Sequence, residues 1–385
     1  MTTYKAVFAR GGTSKALIFH AADLPADRRA WDPIFLAAMG SPDPYGRQLD
    51  GMGGGISSLS KVCVVGPSSR IDADVDFTFA QVLVNEARVD YSGNCGNMSS
   101  AIGPFAVDEG LVPAAGSEAV VRIHNVNTGK VIHSTFPVSG GKSVARGDLV
   151  IPGVSGAGAP VRLDFLEPGG ASTGKLMPTG RPLNMLVIPG LGEVAVSLVD
   201  AANACVFLDA AALGLVGTEL PDELDANPEL LARIALIREH ASVAMRITAS
   251  LEAARAKRMI PLIAFVSGPR GSRTLDGSML SEQAVDLTVR MITSGQPHRA
   301  LPLTGSLCVA VASAIEGTIP NRLVRHGAAG MLRLGMPSGV IQVDAEVVQE
   351  GALWRAVRGS FYRTTRRLFA GMVYADTTTR PPPTA

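Results

Sequence analysis

The sequence has little that would attract a charged polymer or a membrane. Its 35 Lys and Arg residues nearly cancel its 34 Asp and Glu residues, which leaves a formal net charge of +1. Such a balance provides no long-range field for nucleic acid or an anionic lipid surface. No run reaches the roughly 18 uncharged apolar residues that a membrane helix needs. The N-terminal residues lack the apolar core of a signal peptide, so we expect a cytoplasmic protein.

The chain is also poor in cysteine and histidine. Its four cysteines form no CxxC pair and its six histidines form no HExxH pattern, which predicts free thiols and no bound metal. The glycine-rich segments GMGGG and RGGTSK match neither the GxGxxG nor the GxxxxGK[ST] spacing of nucleotide-binding loops. Both segments are better interpreted as loops whose backbone N–H groups bind carboxylates.

Abundant glycine and proline, 42 and 25 residues, divide the chain into short elements, as an all-β or an α+β fold requires, and its length of 385 residues favours two domains. We expect domains at 1–185 and 186–376 and a disordered tail at 377–385. The predicted helices are Trp31–Met39, Met98–Glu109, Glu229–Ser250 and Leu307–Glu316.

Two segments of the chain resemble each other, one beginning VDFTFAQVLV at Val75 and the other VDLTVRMITS at Val285. Each predicts a strand, a turn, a second strand, a small-residue turn and then an Ala/Val-rich helix. This alignment places SGNCGN opposite LTGS, so that Cys95 faces Thr304. A helix start offers unpaired N–H groups and partial positive charge, which favours anion binding. Two such starts facing each other could hold a carboxylate substrate between them.

Cys95 is the leading candidate for chemistry. It lies in the polar segment SGNCGN just before a predicted helix, where a thiolate is stabilised by the helix dipole. The other interpretation is a buried structural cysteine, which is the role we assign to Cys63, Cys205 and Cys308 in their apolar runs.

Lys61 is the second candidate, since it follows the loop GMGGGISSLS and opens a predicted buried strand. Enclosure there could lower its pKa and make it a base, whereas an ordinary edge lysine would stay in solvent. The hydroxyls of Thr179 in MPTG and Ser338 in MPSG are candidate anion donors. His298 either pairs with a carboxylate or holds a turn.

Taken together, RGGTSK, GSPDPYGRQLDGMGGG, SLSK, SGNCGN and GPFAVDEG resemble the PrpF family, which groups isomerases of 2-methylaconitate, 3-methylitaconate and 4-oxalomesaconate. The resemblance implies a diaminopimelate-epimerase-like fold: two similar α+β domains, each a sheet or barrel around a central helix, with the active site in the cleft between them. It also implies a reaction without metal or organic cofactor. The lysine of SLSK and the cysteine of SGNCGN, here Lys61 and Cys95, would be catalytic.

From the loops and the resemblance we expect a substrate-binding set around the two helix starts. Its members are Thr13, Ser14, Lys15, Ser60, Asn94, Gly96, Asn97, Met98, Thr179, His298, Thr304, Gly305, Ser306 and Ser338.

The predicted function is an allylic proton shift or cis–trans isomerisation of a small unsaturated tricarboxylate, with 2-methylaconitate first. One alternative is a 4-oxalomesaconate isomerase of aromatic-acid catabolism. Another is a non-catalytic accessory protein to an aconitase-like dehydratase. A two-thiol racemase is disfavoured, because the repeat places Thr304 rather than a second cysteine opposite Cys95. We expect a homodimer or higher homo-oligomer.

Overall fold

The beginning and the end of the chain fold together. A computed structural model describes residues 2–91, 95–293, 295–325, 331–351 and 353–376. The first compact unit takes in Met1–Leu163 and Arg363–Ala385, and the second takes in Asp164–Tyr362. In the first unit the strand Thr365–Ala375 pairs antiparallel with Thr2–Gly11. The predicted tail, 377–385, lies outside the described residues, and the domain boundary predicted at residue 185 stays a prediction.

Short strands alternate with few helices. The strands are β1 Thr2–Gly11, β2 Ser14–His20, β3 Lys61–Pro67, β4 Val75–Val82, β5 Val89–Asp90, β6 Glu118–Asn125, β7 Lys130–Ser139, β8 Lys142–Ser143, β9 Leu149–Val150, β10 Ala157–Gly158, β11 Val161–Leu166, β12 Asn184–Ile188, β13 Gly192–Ala201, β14 Asn203–Asp209, β15 Leu262–Ser267, β16 Ser272–Arg273, β17 Met279–Leu280, β18 Leu287–Thr293, β19 Gln296–Pro297, β20 Leu332–Met336, β21 Gly339–Glu350, β22 Leu353–Arg363 and β23 Thr365–Ala375. The helices are α1 Trp31–Met39, α2 Gly96–Asp108, α3 Pro221–Asp225, α4 Pro228–Ala244, α5 Leu251–Ala256, α6 Leu303–Ala314 and α7 Ile319–Leu323. In the described part of the chain none of these helices is long and apolar enough to cross a bilayer.

The same succession of strand pairings occurs in each unit. In the first, β1–β2 is antiparallel, β2–β3 parallel, β3–β4 antiparallel, β4–β6 parallel and β6–β7 antiparallel. In the second, β13–β14, β14–β15, β15–β18, β18–β20 and β20–β21 repeat that order of directions. The predicted α+β class with two similar halves is therefore confirmed.

Each unit is built around one helix that is buried on nearly all sides. In the first unit α2 packs against β1, β6 and β7, and in the second α6 packs against β13, β14 and β21. Most residues of both helices are buried, including the small residues Ala101, Gly103, Ala310 and Ala312. A helix that is apolar around its whole circumference has to lie inside a core. These are the central helices that the sequence resemblance implies.

An ion pair marks the true register of the repeat. Arg122 donates from its backbone N–H and its Nη2 to Asp74, at 2.7 and 2.6 Å. Arg333 does the same to Asp286, at 2.9 and 2.7 Å. Asp286 therefore corresponds to Asp74. The sequence alignment paired it with Asp76, two residues further along the chain. The sequence alignment of the two VD pairs was wrong by this shift, although the repeat itself is present.

The two ion pairs differ in how deeply the carboxylate is buried. The Asp286 side chain is 1% exposed and that of Asp74 is 24% exposed. Burial raises the pKa of Asp286, but the hydrogen bonds and charge of Arg333 outweigh it, so the pKa lies below its usual value. The pair therefore stabilises the fold at neutral pH, and this stabilisation is lost as the pH falls through the pKa of Asp286 in the folded protein.

We expect Arg333→Met to lower the free energy of unfolding by about 2–3 kcal/mol, because it leaves a buried carboxylate without its cation. The matched change Arg122→Met should cost only about 1 kcal/mol, since water reaches Asp74. Denaturant unfolding of both variants at pH 7 measures the difference. Equal losses of unfolding free energy in the two variants would contradict a role for burial of the Asp286 carboxylate.

Three of the four predicted helices have different bounds in the structure. The predicted helix Met98–Glu109 spans Gly96–Asp108. The predicted helix Glu229–Ser250 ends at Ala244, because Arg246 takes a left-handed conformation (φ 60°) and the Ile247 N–H bonds back to the Ser242 carbonyl. The predicted helix Leu307–Glu316 begins at Leu303 instead, since Pro302 can precede a helix without losing a hydrogen bond.

Candidate active site

Lys61 lies at the first position of β3 and is 7% exposed. Its Nζ donates to Gln81 Oε1 at 2.5 Å and lies 5.0 Å from the centre of the Phe79 ring. Gln81 is the residue directly opposite Lys61 on β4. The amine is therefore enclosed and held in one place, as a proton-transfer group requires.

The orientation of Gln81 is set by the loop that precedes Lys61. Its Nε2 donates to the carbonyl oxygens of Ser60 and Ser57, at 2.8 and 3.0 Å. These bonds turn Oε1 toward Lys61. Sequence reasoning missed Gln81, because only the register between β3 and β4 brings it next to the lysine.

The long loop that begins with GSPDPYGRQ is held by the buried side chain of Gln48. Gln48 Nε2 donates to Ser41 Oγ at 2.8 Å and to Ser60 Oγ at 2.7 Å, and Oε1 accepts from the Gly55 N–H at 3.0 Å. Ser60 Oγ in turn donates to the Val82 carbonyl at 2.8 Å. The Ser60 hydroxyl thus supports the loop, and its predicted contact with substrate stays a prediction.

Cys95 is the N-cap residue of α2 and is half-buried. Its carbonyl accepts from the backbone N–H and the hydroxyl of Ser99, at 2.9 and 3.1 Å. The N–H groups of Gly96, Asn97 and Met98 precede this first helical hydrogen bond and have no acceptor within the helix. They form the helix start that the sequence predicts, and the binding of an anion there stays a prediction. The predicted residue Asn94 lies outside the described residues.

The RGGTSK turn packs directly on this helix start. A Cβ atom on Gly11 would lie 2.5 Å from the Asn97 carbonyl oxygen, and one on Gly12 would lie 2.2 Å from Asn97 Oδ1. Asn97 Nδ2 donates to Thr13 Oγ1 at 3.1 Å, and Cys95 Sγ lies 4.0 Å from Ser14 Oγ. The two glycines are therefore required for the close approach.

Lys15 occupies the other side of the same hairpin. It pairs with Arg10 in the β1–β2 register, and its Nζ lies 5.5 Å from the centre of the Phe8 ring. Its predicted contact with substrate stays a prediction.

Cys63 connects the two catalytic candidates electrostatically. It lies two residues after Lys61 on β3 and is fully buried. Burial raises the pKa of the Cys63 thiol well above its usual value, the nearby Cys95 raises it further, and Lys61 lowers it. Both catalytic candidates thus act electrostatically on the Cys63 thiol. Cys63 itself stays protonated and structural.

In the second unit α6 starts in the same way as α2. The backbone N–H and the hydroxyl of Ser306 bond to the Pro302 carbonyl, at 2.8 and 2.9 Å, as those of Ser99 bond to Cys95. The residue equivalent to Cys95 is therefore Pro302, and Thr304 is equivalent to Asn97. The expectation that Thr304 corresponds to Cys95 was wrong by two residues, although the position still holds no thiol.

This register changes which N–H groups α6 offers. Ser306, a predicted donor, uses its N–H and hydroxyl within the helix, so the groups left by α6 are those of Leu303, Thr304 and Gly305. Gly305 is also needed for packing, since a Cβ there would lie 2.5 Å from Met291 Sδ. Substrate contacts of Thr304, Gly305 and Ser306 stay predictions.

The remaining predicted residues of the second unit have mixed surroundings. His298 Nε2 lies 2.7 Å from Thr293 Oγ1, and burial lowers the pKa of its imidazole. Within the described residues the buried Ser338 hydroxyl has no hydrogen-bond partner. Thr179 lines a cavity of about 690 Å³ together with Lys175 and Arg246. A substrate contact for each of the three predicted residues stays a prediction.

No group of three or more His, Cys, Asp or Glu side chains that could hold a metal ion occurs in the described part of the chain. The first unit contains an enclosed amine, a half-buried thiol and a row of backbone donors. Groups of these kinds suit proton transfer, and an α+β scaffold carries them.

The comparison with known proteins identifies the family. The family model described as PrpF protein matches residues 1–376. The chain is 40% identical over 373 residues to 3-methylitaconate isomerase of Eubacterium barkeri and 36% identical over 379 residues to 2-methyl-aconitate isomerase of Shewanella oneidensis, each match covering 96% of both chains. A solved structure titled methylitaconate-delta-isomerase superposes with a TM-score of 0.91 at 38% identity, over 100% of this chain and 99% of that one. The chain belongs to the PrpF family and is an isomerase.

Proposed function

We propose that this isomerase moves a double bond in a small unsaturated tricarboxylate by shifting an allylic proton, with 2-methylaconitate as the first candidate substrate. The observation that carries the proposal is an enclosed Lys61 amine in the same unit as Cys95, which is the N-cap residue of a donor-rich helix start. A relative that is 36% identical over nearly its whole length is named for 2-methylaconitate.

In the first step of the proposed reaction Lys61 takes a proton from the carbon γ to a carboxylate. The base must be the neutral amine, which can still donate one N–H to Gln81 Oε1 and direct its lone pair elsewhere. The electron pair of the broken C–H bond spreads into a dienolate. The N–H groups of Gly96, Asn97 and Met98 would stabilise the charge that develops on the carboxylate oxygens.

In the second step a proton is added to the α carbon, which leaves the double bond one position along the chain. The thiol of Cys95 is one donor for this step, and the thiolate it leaves regains a proton from the lysine ammonium. The other role for Cys95 is to shape the carboxylate site while Lys61 moves the proton in both steps. In either case a bond that transiently loses double-bond character can rotate, which accounts for cis–trans isomerisation.

The test is a substrate panel in deuterated water. We expect the protein to equilibrate the double-bond isomers of 2-methylaconitate and to incorporate deuterium at the α and γ carbons. Proton NMR and ultraviolet absorbance monitor these changes. Turnover of 4-oxalomesaconate alone would favour the other substrate assignment. Inversion of a stereocentre without movement of a double bond would identify a racemase, and inertness toward aconitates, 2-methylaconitate and 4-oxalomesaconate would favour an accessory role.

The cytoplasmic location, the homo-oligomer and a site in the cleft between the domains stay predictions.

A further inference from the structure

A buried arginine that the sequence analysis did not single out lies behind the Cys95 helix start. Arg363 is 8% exposed, and its Nε donates to Asn97 Oδ1 at 3.1 Å. Burial lowers the pKa of Arg363 to about 10, so the guanidinium still carries its charge at neutral pH. A permanent cation therefore bonds to the second residue of α2.

Asn97 passes this contact on to the RGGTSK turn. While Oδ1 accepts from Arg363, Nδ2 donates to Thr13 Oγ1, so both ends of the amide are engaged and its orientation is fixed. The Asn97 carbonyl accepts from Ser100 Oγ at 2.6 Å. A Cβ on Gly12 would lie 3.0 Å from Arg363 Cδ as well as against Asn97. Arg363, Asn97 and the turn consequently pack as one unit.

The electrostatics of this arrangement favour an anion. A helix start carries partial positive charge, which favours a bound anion. Arg10 adds a second guanidinium that donates to the carbonyls of Gly12 and Thr364, each at 2.9 Å. The turn before Ser14 thus contacts both arginine side chains. Their positive charges favour a carboxylate at the N–H groups of α2.

We propose that Arg363 is a positioning residue for carboxylate binding at the Cys95 helix start, and that it acts through Asn97. The inference rests on the proposed function, and in it Arg363 is the residue that makes the site select an anionic substrate. When Arg363 fixes the Asn97 amide, the turn 11–14 and the first N–H groups of α2 keep the spacing that one carboxylate needs. Arg363 acts on binding more than on the proton-transfer steps.

The test compares Arg363→Met and Arg363→Lys with Arg70→Met, which removes an exposed arginine paired with Asp72. We expect Arg363→Met to raise KM for the tricarboxylate by about tenfold or more, since a misplaced binding group loses its contacts. Its kcat should change by less than about threefold. Arg363→Lys should recover most of the affinity, and Arg70→Met should behave as the wild type.

A double-variant cycle with Asn97→Ala tests the route of the effect. If Arg363 acts through Asn97, the double variant should bind no more weakly than the weaker single variant. If the two residues have independent roles, their losses of binding free energy should add. Calorimetric binding of propane-1,2,3-tricarboxylate, which has no double bond, measures this without turnover. If Arg363→Met does not fold, Arg363→Lys and Asn97→Ala decide the question through the same KM and binding measurements.

An unchanged KM in Arg363→Met, additive losses in the cycle, or equal losses of kcat and affinity would overturn the inference. Those results leave the proposed function intact as long as the wild type turns over a tricarboxylate. Failure of the wild type on every substrate, with normal binding of the saturated probe, would instead refute the proposed function alone.

Discussion

Replacing Lys61 by Met is expected to abolish exchange of the substrate γ proton with solvent, with kcat reduced by about 10³-fold or more. Methionine has a similar length and keeps the contact with the Phe79 ring, but it has no proton to move. The backbone N–H groups at the start of α2, which we propose bind the substrate carboxylate, stay in place, so binding of a saturated tricarboxylate should remain measurable. Proton NMR in deuterated water and calorimetry give the two readouts.

The matched control for this variant is Lys5→Met. Lys5 is 60% exposed and pairs with Glu109, so its loss should leave exchange unchanged. Gln81→Met should have an intermediate effect, near tenfold in kcat, because the amine stays but its fixed orientation is lost. Undiminished exchange in Lys61→Met would remove the lysine from the mechanism.

The second large effect is expected at Cys95. Cys95→Ala should lower kcat by about 10²-fold or more if the thiol returns the proton to the α carbon. If the thiol only shapes the carboxylate site, the same change should raise KM and leave the exchange rate at saturation nearly intact. Steady-state kinetics with deuterium exchange therefore decide between the two roles that the sequence left open.

Chemical labelling provides an independent check, because Cys95 is the one half-buried cysteine among four. Cys63, Cys205 and Cys308 are fully buried, and burial raises the pKa of Cys63 and Cys205. Iodoacetamide should therefore modify the native protein once, at Cys95, and substrate should slow the reaction. Cys95→Ser should take up no label. Labelling at another cysteine, or no protection by substrate, would argue for a structural role.

Local sequence signals predicted much of the fold. The helix Trp31–Met39 has the predicted bounds, and the buried strand predicted to open at Lys61 is β3, because each depends on a short apolar pattern. The break after Ala244 was missed, since a left-handed arginine is an uncommon helix ending and glycine is the usual signal. The register of the repeat was also missed, because the ion pair Asp286–Arg333 joins residues 47 positions apart.

In the candidate site, too, local sequence patterns do not reveal contacts between residues that are distant in sequence. Cys95 and Lys61 were found from a glycine-rich turn, a strand entrance and the family resemblance. Gln81 and Arg363 were not found, because their importance comes from partners that are distant in sequence. Lys61 and Gln81 are 20 residues apart, and Arg363 and Asn97 are 266 apart. Motifs identify the reacting groups, and only the three-dimensional structure identifies the groups that hold them.

Because β23 pairs with β1, the first unit can complete its fold only late in biosynthesis. A ribosome makes Thr365–Ala375 more than 350 residues after it makes the strand Thr2–Gly11 with which they pair. The Gly12 N–H bonds to the Thr364 carbonyl, so the turn beside Cys95 also has to wait for this late segment. Domains usually fold in order from the N-terminus as they emerge. Here the second unit can fold first, and the nascent chain acquires the complete Cys95 site only after Thr365–Ala375 has been made.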